Sequence, residues 1–172
     1  MSRANIIGCG PTGSLWDGLG FSVGVNDCLK FGRPVNALVC VNVFSKEPDR
    51  QRIVNETKTT HGFWSHSRQW QHREDFKKLD MQQWSGRYIQ GRVYWSHTST
   101  FIAITLAVKL GYTEIVLYGC DLTDHKHVKN KVLADEIKNT LELSRELEKI
   151  GVKLYIYKAY GAFKDHLPSI TE

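Results

Sequence analysis

The residues best suited to chemistry stand where apolar runs stop abruptly. Gly8-Cys9-Gly10-Pro11-Thr12-Gly13 follows Ala4–Ile7, Asn26-Asp27 follows Phe21–Val25, Asn42 follows Ala37–Val41, and Gly119-Cys120-Asp121 follows Glu114–Tyr118. His97-Thr98-Ser99 stands just before another apolar segment. Glycines let a chain turn with φ > 0 and let a ligand approach the main chain closely. Amides exposed in such a loop, or in the first turn of a helix, hold phosphate. Amide, hydroxyl and acidic side chains hydrogen-bond a ribose, a base or a sugar. The expected nucleotide site is therefore Gly8, Gly10, Pro11, Thr12, Gly13, Asn26, Asn42, Thr98, Ser99, Gly119 and Asp121. The glycine run is neither G-x-G-x-x-G nor a P-loop, because no Lys-Ser/Thr follows Gly13. A plain strand-to-helix turn fits it too, and Asn and Asp are ordinary turn formers.

A second pattern lies at residues 61–73, where His61, His66, Arg68, His72 and Arg73 interleave with Phe63, Trp64 and Trp70. Lys77, Lys78, Arg87 and Arg92 extend the basic character. Cations neutralise phosphates while aromatic faces stack on exposed bases, so Trp64, Arg68, Trp70 and Arg73 are expected to contact a nucleic acid or another anionic partner. The same residues also suit a small subdomain with tryptophans in its core and solvated charges.

These residues need strands and helices to bring them together. The runs at 4–7, 21–25, 37–41 and 114–118 are nearly continuously apolar, as parallel strands covered on both faces are. Thr98-Ser99-Thr100 caps a helix reaching Leu110, which Gly111 stops. Asn130–Ile150 is a long amphipathic helix with Leu133, Ile137, Leu141, Ser144 and Leu147 on one face and Glu and Lys on the other. Val152–Tyr157 gives a last strand. In the middle, helices are expected near Asp49–Thr57 and Ser67–Leu79, and a strand over Tyr88–Tyr94. Helix and strand alternating in this order predict right-handed crossovers and a mostly parallel sheet. The expected fold is α/β: one Rossmann-like three-layer domain over residues 1–172, with 46–96 as a small aromatic and basic insertion. Such sheets bind ligands outside the carboxyl ends of their strands, where the residues above fall.

The 172 residues suit one domain. A net charge of +5 favours an anionic partner. Cys9, Cys28, Cys40 and Cys120 lack C-x-x-C spacing and read as buried thiols, and the seven histidines form no zinc signature, so no metal is expected. No apolar stretch spans a bilayer and no signal-peptide core follows Met1, so the expected location is cytoplasmic, with no membrane partner.

Ile6-Ile7-Gly8-Cys9-Gly10-Pro11-Thr12 resembles the IIxGxGPS opening of the bacterial sialyltransferases that build lipooligosaccharide. Their superfamily also includes 6-hydroxymethylpterin diphosphokinase-like proteins. Thr98-Ser99, followed by Leu110-Gly111-Tyr112-Thr113-Glu114-Ile115-Val116-Leu117-Tyr118-Gly119-Cys120-Asp121, is similar to the family's TSG…ALGYKEIxLxGxD segment. Thr12 stands for the usual Ser and Thr100 for the usual Gly. The resemblance covers the first fifty residues and most of the last seventy-five. It implies transfer of a sugar from a nucleotide-sugar donor to an acceptor hydroxyl, by inverting displacement without an essential metal or other cofactor. Asn26 and Asn42 match asparagines that line the family's nucleotide pocket. The family's general base lies between the GxD strand and the next helix, where this chain has His125 and His127, with His127 preferred. His97 and Asp27 are further candidates. The resemblance makes the insertion 46–96 the acceptor side, with Trp64, Arg68, Trp70 and Arg73 as acceptor contacts. Its basic, aromatic character extends the acceptor reading to a hydroxymethylated base in DNA, extruded for reaction as viral DNA-modifying sugar transferases require. A pterin-type pyrophosphokinase using ATP and Mg²⁺ and a non-catalytic nucleotide-binding protein are the alternatives.

Overall fold

The computed structural model describes residues 2–123 and 129–171. Five parallel strands run outward from the middle of one sheet: β1 (Arg3–Ile7), β2 (Phe21–Val25), β3 (Ala37–Val39), β4 (Gly62–Ser65) and β5 (Phe76–Lys78). Two short strands, β6 (Met81–Gln83) and β7 (Val93–Trp95), form a separate parallel pair. The chain then returns through helix α2 (Ser99–Lys109) to β8 (Glu114–Tyr118), on the other side of β1. Helix α3 (Asn130–Glu148), β9 (Lys153–Tyr157) and β10 (Ser169–Ile170) complete the sheet in the order β10-β9-β8-β1-β2-β3-β4-β5, every pair parallel. Strand order reverses between β1 and β8, and there the crevice for a ligand opens in a doubly wound sheet.

Alternation along the strands explains the continuous apolar runs. Ile6, Val23, Val39 and Leu117 face the layer that holds Phe101, Ile104, Leu106 and Leu143. Their neighbours Ile7, Leu38, Val116 and Tyr118 face the opposite side, against Trp16, Cys28, Val35, Phe63 and Trp70. Successive side chains of a strand point to opposite faces, so both must be apolar when both are covered. The second outer layer is thin: 3-10 turns at Pro11–Leu15 and Cys28–Phe31, with α1 (Pro48–Glu56).

Two expectations change in the middle segment. Residues 67–79 form a 3-10 turn at Arg68–Trp70 and then β5, instead of a helix. Trp70 is buried against Phe63, and Arg73 donates to the carbonyls of Val54, Asn55 and Thr57, which pins the chain where it must extend to pair with β4. Of the expected 88–94 strand only Val93 and Tyr94 pair, within β7, and the partner is β6. The segment 46–96 thus supplies two strands of the main sheet as well as the separate pair.

The buried face of α3 also differs. It runs through Glu136, Thr140, Leu143, Ser144 and Leu147, while Leu133, Ile137 and Leu141 lie half-buried at its flank. No helix among the described residues is long and apolar enough to cross a membrane.

Candidate functional site at the strand switch point

A cavity of about 1200 Å³ opens at the carboxyl ends of the central strands, larger than most small-molecule sites. Its walls bring together Gly10, Pro11, Asn26, Asn42, Thr98, Ser99, Gly119 and Asp121. Gly8, Thr12 and Gly13 lie behind this surface and hold it in shape.

The glycine loop is joined to the loop after β8. Gly8 N–H donates to the Tyr118 carbonyl at 2.7 Å and Gly10 N–H to the Gly119 carbonyl at 2.8 Å. Thr12 N–H donates to Asp121 Oδ2 at 3.0 Å, and the Thr12 hydroxyl donates to Asp121 Oδ1 while accepting from Gly119 N–H at 2.8 Å. Gly13 N–H turns back to the Gly10 carbonyl at 3.0 Å. A Cβ on Gly8 would stand 2.3 Å from the Gly119 oxygen, and one on Gly10 would stand 2.6 Å from Asp121 Oδ2. These glycines therefore admit a second loop. Pro11 has no N–H, so the amides of Gly10, Thr12 and Gly13 are all engaged within the protein. The Asp121 carboxylate is likewise occupied by Thr12.

Donors for a ligand remain at the start of α2. Thr98 is its N-cap, accepting from Phe101 N–H at 3.4 Å. The first amides of a helix have no intrahelical acceptor, so those of Ser99 and Thr100 are available where the dipole favours negative charge. Ser99 lines the cavity. Thr98 directs its own hydroxyl proton to Glu136.

Across the cavity, Asn26 holds φ +52° directly after β2. Its N–H donates to the Val39 carbonyl at 3.0 Å, while its side-chain Oδ1 is buried without a partner. A left-handed non-glycine residue with an unsatisfied oxygen at a cavity wall is the kind of strain found where ligands bind. Asn42 lies exposed on the same wall.

Asp27 is 5% exposed and is not among the described lining residues. Burial would raise its carboxyl, but the hydrogen bond and charge of Arg50, at 2.9 Å, outweigh that and hold it below its usual range. It is a weak base. Cys9 donates from Sγ to the Val25 carbonyl and to Asp27, and burial first, then the Asp27 charge, pushes its thiol up to about 12. That removes it as a nucleophile. The four cysteines are free, Cys9 half-buried and the others buried.

His125 and His127 lie outside the described residues. His97 and His66 line the cavity and are exposed. Of the residues expected on the acceptor side, Trp70 is 1% exposed in the core and Arg73 is bonded to Asp75 and stacked on Phe63. Trp64 is half-buried with its indole N–H on the His61 carbonyl, and Arg68 is exposed. None of the four is among the described lining residues.

Sequence reasoning missed Arg50 and Trp95 on the cavity wall and named Lys78 only as part of the basic middle segment. Trp95, 39% exposed at the end of β7 beside buried Val93 and Tyr94, was detectable as an aromatic next to the Thr98-Ser99 cap. Among the described residues no group of three or more His, Cys, Asp or Glu is placed to hold a metal ion.

Fold and site together define a doubly wound parallel α/β protein with its cavity at the switch point, opposite a helix N-terminus. The sialyltransferase CstII from Campylobacter jejuni has this fold. Its structure with the substrate analogue CMP-3FNeuAc matches with a TM-score of 0.59 at 15% identity, over 98% of this chain and 86% of that one. Its structure with cytidine-5'-monophosphate matches at 0.52 and 17% identity, over 91% and 79%. No protein-family model and no curated protein sequence matches this chain.

Proposed function

We propose that this chain is a glycosyltransferase that takes its sugar from a nucleotide-activated donor. The observation that carries the reading is the cavity into which α2 presents its first free amides and the Ser99 hydroxyl, opposite the unsatisfied Asn26 oxygen. Likeness of fold to an enzyme solved with a CMP-sugar analogue supports it. With the Gly10, Thr12 and Gly13 amides engaged internally, this geometry suits a donor with a single phosphate, a nucleoside monophosphate sugar.

In the reaction the acceptor oxygen bonds to the anomeric carbon as the bond from that carbon to the phosphate oxygen breaks. The phosphate leaves carrying the electron pair, and the Ser99 and Thr100 amides with the Ser99 hydroxyl stabilise its growing charge. The acceptor proton passes to a base, a histidine being suited by an ordinary pKa of about 6.5. His127 and His125 remain the proposed bases, with His97 available from the cavity wall. For the acceptor, a hydroxymethylated base in DNA draws support from exposed His66, Lys78 and Trp95 at the cavity and from exposed Arg68. Trp70 and Arg73 serve the fold.

Thermal shift with CMP, UDP, GDP and ADP tests the reading. Selective stabilisation by CMP is expected, about 2.7 kcal/mol at one hundred times Kd. No response to any nucleotide would overturn it, a response to ADP would redirect it to a pyrophosphokinase, and binding without release of CMP from a CMP-sugar would leave a nucleotide-binding protein. A mass gain on hydroxymethylated DNA tests the acceptor.

A further inference from the structure

Glu136 is 1% exposed, and both oxygens of its carboxylate are engaged. Oε2 accepts the His97 N–H at 2.9 Å and Oε1 accepts the Thr98 hydroxyl proton. One turn further along α3, Asn139 Nδ2 donates to Ser96 Oγ at 2.8 Å. Ser96, His97 and Thr98 all line the cavity and lead into α2. The same ladder continues with Glu142 accepting the Trp84 indole N–H and Glu146 accepting the Tyr88 N–H. The spacing of three, three and four residues keeps all of these groups on one side of the helix.

A buried carboxylate is expensive without a cation, and among the described residues none is paired with Glu136 in a salt bridge. What stabilises it is the start of α2, whose amides and dipole favour negative charge. That same end is the phosphate site of the function proposed above, on which this inference rests. Carboxylate and phosphate therefore draw on one field. The Thr98 proton is also turned to Glu136 and away from the ligand.

We infer that Glu136 is a positioning residue that limits how tightly the site holds the departing nucleotide. It fixes Ser96–Thr98, and its charge opposes the phosphate charge. Glu136 meets the Thr98 cap and the phosphate the Ser99 and Thr100 amides, so the two flank the first turn of α2, on the order of one helical pitch apart, roughly 5–6 Å. At that separation, removing a unit charge from a partly buried site changes affinity about ten- to hundredfold. The nucleotide is bound only firmly enough to be oriented, and as a product it is released.

Calorimetry with CMP and with uncharged cytidine, on the wild type and on Glu136→Gln, tests this. Glutamine keeps the shape and one acceptor but loses the charge. CMP is expected to tighten at least about tenfold, with cytidine unchanged within about twofold. If Glu136 only holds the wall in place, CMP and cytidine weaken together; that result, or no change in either, overturns the inference. Asn139→Ala frees Ser96 while keeping the charge, and it should leave the ratio of CMP to cytidine affinity unchanged. A rise in that ratio overturns the inference even where Glu136→Gln does not fold. Failure of the wild type to bind CMP at all rejects the functional reading itself.

Discussion

Thr12 offers the sharpest test of how the switch point is held. Its hydroxyl serves two buried groups at once, donating to Asp121 Oδ1 and accepting from Gly119 N–H at 2.8 Å. Thr12→Val keeps the volume and removes both bonds. A hydrogen bond to a charged group contributes about 1.5–3 kcal/mol, and an orphaned buried N–H costs about 1–3 kcal/mol. The expected loss is therefore about 3–5 kcal/mol. Thr12→Ser keeps the hydroxyl and loses one methyl group, about 1 kcal/mol. For a chain of this length each kcal/mol moves Tm by about 2–4 °C. Urea unfolding of the two variants against the wild type reads the difference, provided the slope m is unchanged. A Thr12→Val loss within about 0.5 kcal/mol of Thr12→Ser would refute the argument that this hydroxyl ties the two loops together.

Three further outcomes follow from the same geometry. Gly8→Ala sets a Cβ against the Gly119 carbonyl oxygen, 2.3 Å away in the unrelaxed backbone, so the two loops must part; a loss of about 2–4 kcal/mol in urea unfolding is expected. Asp27 has a folded pKa below its ordinary value, so its contribution is complete above the ordinary carboxylate range and is lost as pH falls through the lower, folded pKa. Urea midpoints measured from pH 7 to pH 3 should fall at the acid end. Arg50→Gln should lower stability near pH 7 and shrink or reverse that fall, because burial without the partner raises the Asp27 carboxyl and protonation then favours the folded state. Trp70→Ala should destabilise by about 3–5 kcal/mol while leaving nucleotide affinity unchanged, since its ring lies against Phe63 in the core and away from the cavity. A thermal-shift titration with CMP checks the second half of that expectation.

Much of this was legible in the residues, for identifiable reasons. Parallel strands covered on both faces must be apolar at consecutive positions, and Ile6 with Ile7, or Val116 with Leu117, shows that directly. The Thr98 cap and the Gly111 stop mark α2 by local chemistry alone, so its N-terminus could be placed beside the strand ends. What could not be read was the destination of each polar group. An N–H in a glycine loop looks the same whether it meets a phosphate or a carbonyl of β8 more than a hundred residues away. Glu136 sits among Lys and Glu in an amphipathic helix and reads as solvated, because the donors it accepts from, His97 N–H and the Thr98 hydroxyl, lie on a distant segment of the chain. The run of aromatics and cations at 61–73 has the composition of a nucleic-acid surface, yet Arg73 lies over Phe63 and ties down carbonyls at the end of α1. Composition cannot separate a cation that stacks inward from one that faces solvent.

The two walls of the cavity are held by different means, and the difference bears on the chemistry. The wall formed by β1 and β8 is fixed by short buried bonds, with Asp121 anchored from behind as well by Ala162 N–H on its carbonyl at 2.9 Å. The wall formed by β7 and the start of α2 is held from outside, by the polar stripe of α3. Donors fixed before a ligand arrives need no reorganisation when charge develops, and that is where electrostatic stabilisation of a leaving group is strongest. Such a site also binds its anionic product well, which slows turnover unless something opposes it. In the proposed reaction the start of α2, held by α3, would supply the preorganised donors, and Glu136 behind it would limit product retention. Had the glycine loop been a phosphate cradle, its amides would have added to the hold on the product, and Glu136 would have had far more to oppose.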